Sequence, residues 1–237
     1  MVKAPRPVFL LAGHGSRRGG RDPMVERIIA ETGVGQPRAA YLGAASGDNR
    51  PFFLMMAALL RASGCGQVTL APTASKRANI TKTLEILRAA DLIFVSGGDV
   101  EEGMRVLAER DLCTELRSLS ETGKVFCGAS AGSIMLAREW VRWSDPSDDA
   151  SASLFPCLRF ADLLCDTHGE VDGWEELHAA LRLSPDGTTG YGIRSGGGLA
   201  IYPDNRIEVI GGEVDTLQLD GSSIHHRATL SQADWVS

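Results

Sequence analysis

The segment Lys124–Ala137, KVFCGASAGSIMLA, determines how the rest of the chain is interpreted. It begins with a short apolar run that predicts a buried strand, and the residues from Ala131 onward predict the start of a helix. Between the two, Gly128, Ser130 and Gly132 fit the pattern G-x-S-x-G, in which a serine occupies a sharp strand-to-helix turn. Such a turn exposes the hydroxyl at the carboxyl edge of a sheet and places helix N-terminal amides beside it. The segment therefore predicts an α/β protein with a nucleophile elbow at Ser130.

Short apolar runs alternate with helical patterns on both sides of this turn. Strands without polar alternation, separated by helices, predict a mostly parallel sheet that is covered on both faces. The predicted strands are 8–13, 38–46, 67–72, 91–99 and 124–130, and the predicted helices are 51–64, 79–90, parts of 101–123 and one starting at 131. After residue 139 shorter β segments predict antiparallel strands, as at a sheet edge. We expect one domain over residues 1–237.

Composition and charge narrow the class of protein. The chain has 237 residues, of which 43% are hydrophobic and 23% charged, and its net charge is −6. A net negative charge argues against a nucleic-acid partner, which would need a basic surface. No apolar run approaches the roughly 18 residues of a membrane-spanning helix, and residues 8–12 predict a first strand rather than a signal peptide. Five cysteines without metal-type spacing favour reduced thiols and a cytoplasmic location.

A serine hydroxyl becomes a good nucleophile only when a base takes its proton. Of the five histidines, His168 follows an apolar run at a loop position where a base could face the elbow. Asp145 lies between Ser130 and His168, and the chain order serine, acid, histidine is one known arrangement of a catalytic triad. The other histidines lie in a helical pattern, in a polar C-terminal stretch or, for His14, in a glycine-rich loop.

Four segments together resemble one family, the serine peptidases that include dipeptidase E (aspartyl dipeptidase) and cyanophycinase. They are AAYLGAASGD, ADLIFVSGGD, GKVFCGASAGSIML and the late β segments, at residues 39–48, 90–99, 123–136 and 190–212. The strand ending in GGD, followed about 30 residues later by GASAG, is the specific part. The resemblance implies a three-layer α/β sandwich like that of class I glutamine amidotransferases, with serine in place of their cysteine.

The resemblance also implies roles for individual residues. It places the nucleophile at Ser130 and the base at His168, and Asp145 matches the acid best. The backbone amides of Gly98 and Ala131 would form the oxyanion hole, and no metal or organic cofactor is required. Alternative acids are Asp148, Asp149 and Glu170, and Cys127 is interpreted as a core residue.

The implied activity is hydrolysis of short peptides, with N-terminal aspartate as one candidate specificity. Arg194, Arg17 and Arg18 are candidates for binding a substrate carboxylate. After His168 the chain has acids and Trp174 where relatives tend to have arginines, which favours a different substrate preference. Two alternatives are a non-catalytic binding protein on the same fold and an α/β-hydrolase-type esterase. The oligomeric state is open, with a homodimer as one candidate.

Overall fold

The computed structural model describes residues 4–13, 20–232 and 234–236. The strands are β1 (Val8–Leu11), β2 (Ala39–Leu42), β3 (Val68–Ala71), β4 (Leu92–Val95), β5 (Val125–Ala129), β6 (Glu139–Trp143), β7 (Ala152–Pro156), β8 (Leu164–Thr167), β9 (Thr189–Ile193), β10 (Gly197–Ile201), β11 (Ile207–Gly211), β12 (Val214–Asp220), β13 (Ser223–Leu230) and β14 (Trp235–Val236). The helices are α1 (Pro23–Ala30), α2 (Arg50–Ala62), α3 (Ile80–Ala89), α4 (Val100–Glu109), α5 (Leu112–Glu121), α6 (Ala131–Leu136) and α7 (Glu175–Arg182).

Most of the strands form a central sheet with the order β14-β11-β10-β1-β5-β4-β2-β3. The pairs from β1 to β3 in this order are parallel, whereas β10, β11 and β14 continue the sheet in antiparallel fashion. The strands β1, β2, β4 and β5 are buried along their whole length, as expected for a sheet covered on both faces. The five strands predicted from the apolar runs are confirmed.

Two hydrophobic cores lie on opposite faces of this sheet. Along β1 the side chains alternate between them, because Phe9 and Leu11 belong to one core and Val8 and Leu10 to the other. Helices α1 and α2 cover the first face, and α3, α4, α5 and α6 contribute to the second. This arrangement is the three-layer α/β sandwich that the sequence predicted.

The helix ends follow from local chemistry. The side chain of Asn79 accepts a hydrogen bond from the amide of Lys82 and caps α3, which confirms the predicted cap. The predicted helical stretch 101–123 is divided into α4 and α5 at Asp111, whose φ of 55° cannot continue a right-handed helix. In the described part of the chain, no helix has both the length and the apolar character needed to span a membrane.

The late β segments differ from the expectation of a simple sheet edge. Of these late strands, β10, β11 and β14 extend the central sheet, while β8 and β9 pair in parallel within a second sheet of order β13-β12-β9-β8. Strands β6 and β7 form a separate antiparallel hairpin. The second sheet and the hairpin matter for function because they carry the loops that face the end of β5.

Candidate active site

The turn between β5 and α6 has the strained geometry that the G-x-S-x-G pattern predicts. Ser130 has φ 54° and ψ −129°, a backbone conformation that residues other than glycine rarely adopt. A Cβ atom on Gly128 would lie 2.4 Å from the carbonyl oxygen of Gly132, and one on Gly132 would lie 2.1 Å from the carbonyl oxygen of Val95. Both positions therefore exclude a side chain, and the crowded turn holds the serine at its apex.

Ser130 and His168 are in contact. The Oγ atom of Ser130 lies 2.8 Å from Nε2 of His168, a hydrogen-bond distance across 38 residues of sequence. His168 follows β8, and its amide donates a hydrogen bond to the carbonyl oxygen of Ile193 at the end of β9. The structure therefore brings the predicted nucleophile and base together in a geometry that allows proton transfer.

Asp145 does not make the predicted contact with His168. Its side chain is exposed, and its Oδ1 accepts hydrogen bonds from the amide (2.9 Å) and the hydroxyl (2.7 Å) of Ser147. These bonds lower the pKa of the Asp145 carboxyl. A serine two residues downstream offers a local turn, and that turn holds the carboxylate instead. The assignment of Asp145 as the orienting acid is corrected accordingly.

The other candidate acids have different surroundings. Asp148 accepts a hydrogen bond from the amide of Ala150 and caps a short 3₁₀ turn, whereas Asp149 lines the cavity described below. Glu170 is the distinctive one: its Oε1 accepts a hydrogen bond from the amide of Ser195 (3.1 Å), and its Oε2 is buried without a hydrogen-bond partner among the described residues.

The charge state of Glu170 is linked to His168. Burial would by itself raise the pKa of Glu170, but the hydrogen bonds from Ser195 and the nearby His168 ring bring it below its ordinary value. An ionised carboxylate with a free, buried oxygen close to an imidazole can hold that ring and stabilise the imidazolium. In the described part of the chain Glu170 interacts with His168 through charge, and no hydrogen bond joins the two side chains.

Gly98 and Ala131, the predicted oxyanion-hole residues, line the same cavity as Ser130 and His168. Gly98 has a φ of 144°, and a Cβ atom there would lie 2.0 Å from the carbonyl oxygen of Ala45. The close approach of the Ala45 backbone therefore requires a glycine at this position.

The side chain of Arg194 binds two carboxylates outside the cavity that Ser130 and His168 line. Its guanidinium donates two hydrogen bonds to Asp215 (2.8 and 2.9 Å) and one to Glu213 (2.7 Å), and it is not part of the cavity lining. The guanidinium therefore pairs with a buried carboxylate outside the cavity lining, and a substrate contact of Arg194 stays a prediction. The candidates His14, Arg17 and Arg18 lie outside the described residues. Cys127 is buried, and burial raises the pKa of its thiol well above the ordinary range, as expected of a core residue.

A cavity of about 980 Å³ opens in front of the Ser130–His168 pair. The β6–β7 hairpin and α7 form further walls of this cavity. Asp166, two residues before His168, also lines the cavity, and burial raises the pKa of its carboxyl to about 7. Sequence reasoning missed Asp166, although an acid directly after the apolar run Leu163–Cys165 was a visible signal.

Comparison with known proteins identifies the family to which the chain belongs. The family model for peptidase family S51 matches residues 8–209, so the chain belongs to this family of serine peptidases. The predicted resemblance to the dipeptidase E family is confirmed. One similar solved structure is a peptidase from an acI-B1 Actinobacterium, with 17% identity and a TM-score of 0.73, covering 100% of this chain and 98% of that one. Another is a putative peptidase E protein from Listeria monocytogenes EGD-e, with 17% identity and a TM-score of 0.60, covering 92% of this chain and 100% of that one. No curated protein matches the chain.

Proposed function

We propose that this member of family S51 is a serine exopeptidase acting on short peptides, with Ser130 as nucleophile and His168 as general base. The observation that carries the proposal is the 2.8 Å contact between Ser130 Oγ and His168 Nε2 at a strained strand-to-helix turn. The cavity in front of the pair, about 980 Å³, has the size of a small-ligand site, which favours a short peptide over a folded substrate.

In the proposed reaction Ser130 Oγ attacks the scissile carbonyl carbon while its proton passes to Nε2 of His168. The same proton then goes to the leaving amine as the C–N bond breaks, which leaves an acyl-enzyme. Water adds to the acyl carbon with His168 again acting as base, and the serine is released with the acid product. The amides of Gly98 and Ala131 are proposed to donate to the oxyanion in both steps.

We assign the orienting role to Glu170 in place of Asp145. The support is its buried Oε2, which has no hydrogen-bond partner among the described residues, together with the proximity of His168. The fixed Oε1 contact with the Ser195 amide holds the carboxyl group at the end of β9, next to the loop that carries the base.

A fluorophosphonate probe tests the nucleophile directly, since it forms a covalent bond only with an activated serine. We expect near-stoichiometric labelling of the wild-type protein at Ser130, mapped by peptide mass spectrometry, and none of Ser130→Ala. Ser118→Ala is the matched control, because Ser118 is an exposed serine on α5, and it should label like the wild type. An unlabelled wild-type protein would favour the alternative of a non-catalytic binding protein on the same fold.

A further inference from the structure

The lining of the active-site cavity is strongly acidic. Six carboxylates face two guanidinium groups, those of Arg142 and Arg182. The carboxylates belong to Asp99, Glu101, Asp149, Asp166, Glu175 and Glu176. Within the described part of the chain, one ion pair joins members of this lining, between Glu101 and Arg142 at 3.2 Å. The cavity therefore keeps an excess of negative charge in front of the proposed nucleophile.

Asp166 adds a buried carboxyl group to the interior of the site. Its side chain is only 6% exposed, and its Oδ1 accepts a hydrogen bond from the neighbouring amide of Thr167 (2.7 Å). Burial, and repulsion by Glu176 and Asp172, raise the pKa of its carboxyl. No cation of the described chain pairs with Asp166. A buried acid without a cation partner inside a substrate cavity is a position that a cationic ligand would neutralise.

Aromatic side chains on the β6–β7 hairpin suit the same kind of ligand. Trp140, Trp143 and Phe155 line the cavity, and the Phe155 ring already has the guanidinium of Arg142 at 5.7 Å from its centroid. Such faces attract cations and also pack against the aliphatic stems of lysine and arginine side chains. The hairpin therefore lines the cavity with aromatic surface, while α7 contributes the carboxylates of Glu175 and Glu176.

We propose that the cavity selects short peptides that carry a basic side chain, lysine or arginine, next to the scissile bond. This inference rests on the proposed function, because it assumes that the substrate enters the cavity of Ser130 and His168. It runs against a preference for N-terminal aspartate, since an acidic side chain would be repelled by the same carboxylates and would find Arg194 occupied by Asp215.

The test measures binding separately from catalysis. Calorimetric dissociation constants are determined for the Ser130→Ala variant with five dipeptides: Lys-Ala, Arg-Ala, Ala-Ala, Asp-Ala and Glu-Ala. All five carry the same α-ammonium group, so differences among them report the side chain. We expect the basic dipeptides to bind at least about tenfold more tightly than the acidic ones, and we expect added salt to reduce this ratio.

Two further variants of the Ser130→Ala protein test whether the cavity carboxylates cause the preference for basic dipeptides. Adding Glu175→Gln and Glu176→Gln should reduce the basic-to-acidic ratio by about threefold or more, whereas adding Glu85→Gln should leave it unchanged, because Glu85 is exposed on α3 away from the cavity. Acidic dipeptides that bind as well as basic ones, or a ratio unaffected by the double substitution, would overturn the inference. Failure of the proposed function would be seen separately, as wild-type protein that binds basic dipeptides but neither cleaves them nor reacts with the fluorophosphonate.

Discussion

The amide of His168 donates a hydrogen bond to the carbonyl oxygen of Ile193, and Glu170 receives one from the amide of Ser195 two residues further along the chain. The loop after β8 is thus tied at two points to the end of β9. The left-handed backbone of His168, with φ 49°, makes the sharp reversal between these two contacts possible. The proposed base is therefore held by the second sheet, while the nucleophile is held by the central sheet.

Loss of the nucleophile should abolish hydrolysis without unfolding the protein. The Ser130 hydroxyl sits at a turn apex and contacts the His168 ring, so its removal takes away little packing. We expect Ser130→Ala to lower kcat for a cleaved dipeptide by about 10⁴ to 10⁶ while the thermal midpoint stays close to that of the wild type. Steady-state kinetics and thermal unfolding check this, and residual activity within tenfold of the wild type would exclude the assignment.

The two candidate acids should behave differently. Glu170→Gln keeps the side-chain shape but removes the charge near His168, so we expect kcat to fall about 10²-fold or more with little change in KM. Asp145→Asn should change kcat by less than about threefold, because its carboxylate is exposed and bonded to Ser147.

If Glu170 had only a structural role, its substitution would not shift the pH dependence of kcat/KM. If Glu170 stabilises the imidazolium, the acid limb of the profile of kcat/KM should shift to lower pH in Glu170→Gln, and Glu170→Asp should recover part of the activity. A crippled Asp145→Asn together with a nearly unaffected Glu170→Gln would return the orienting role to Asp145.

Asp215 should contribute to stability at neutral pH. Burial would raise the pKa of its carboxyl, but hydrogen bonds from Arg194, Thr229, His226 and Trp174 lower it to about 2, against 3.8 for an ordinary aspartate. Because the folded-state value is depressed, this contribution is fully present above pH 3.8 and is lost as the pH falls towards 2. The difference corresponds to about 2 kcal/mol of unfolding free energy.

We predict that the substitution Asp215→Asn lowers the thermal stability by an amount that depends on pH. Asp215→Asn should lower the thermal midpoint at pH 7 by about 5 °C or more, and the gap to the wild type should narrow as the pH approaches 2. Asp220→Asn on the same strand is the matched control, since that carboxylate is 67% exposed, and its effect at pH 7 should be small. Equal effects of the two substitutions at pH 7 would contradict this account.

The elbow and the parallel strands could be predicted because their signals are local. Gly128, Ser130 and Gly132 encode the turn through steric exclusion alone, and each buried strand is a short apolar run. The partners of Asp145 and Arg194 could not be predicted in this way. Asp145 is held by a serine two residues downstream that competes with the distant histidine, and Arg194 is held by Asp215, whose burial depends on the second sheet.

The acid at Asp166 should carry a stability cost that is visible as a function of pH. Its folded-state pKa is raised to about 7, chiefly by burial, against 3.8 in an ordinary aspartate. Between these values the folded protein retains a proton that the unfolded chain has lost, so stability falls as the pH rises through this window and the loss is complete above about pH 7.

Asp166→Asn removes the ionisation but keeps an oxygen that can accept the hydrogen bond from Thr167. We therefore expect this variant to unfold at a higher temperature than the wild type at pH 8, by about 5 to 10 °C, and to differ little from it at pH 4. Glu85→Gln, at an exposed site, should show no such difference between the two pH values. Thermal unfolding of both variants at pH 4 and pH 8 makes the comparison. Equal destabilisation of Asp166→Asn at both pH values would contradict this account. It would mean that the carboxyl group stabilises the fold through its hydrogen bond.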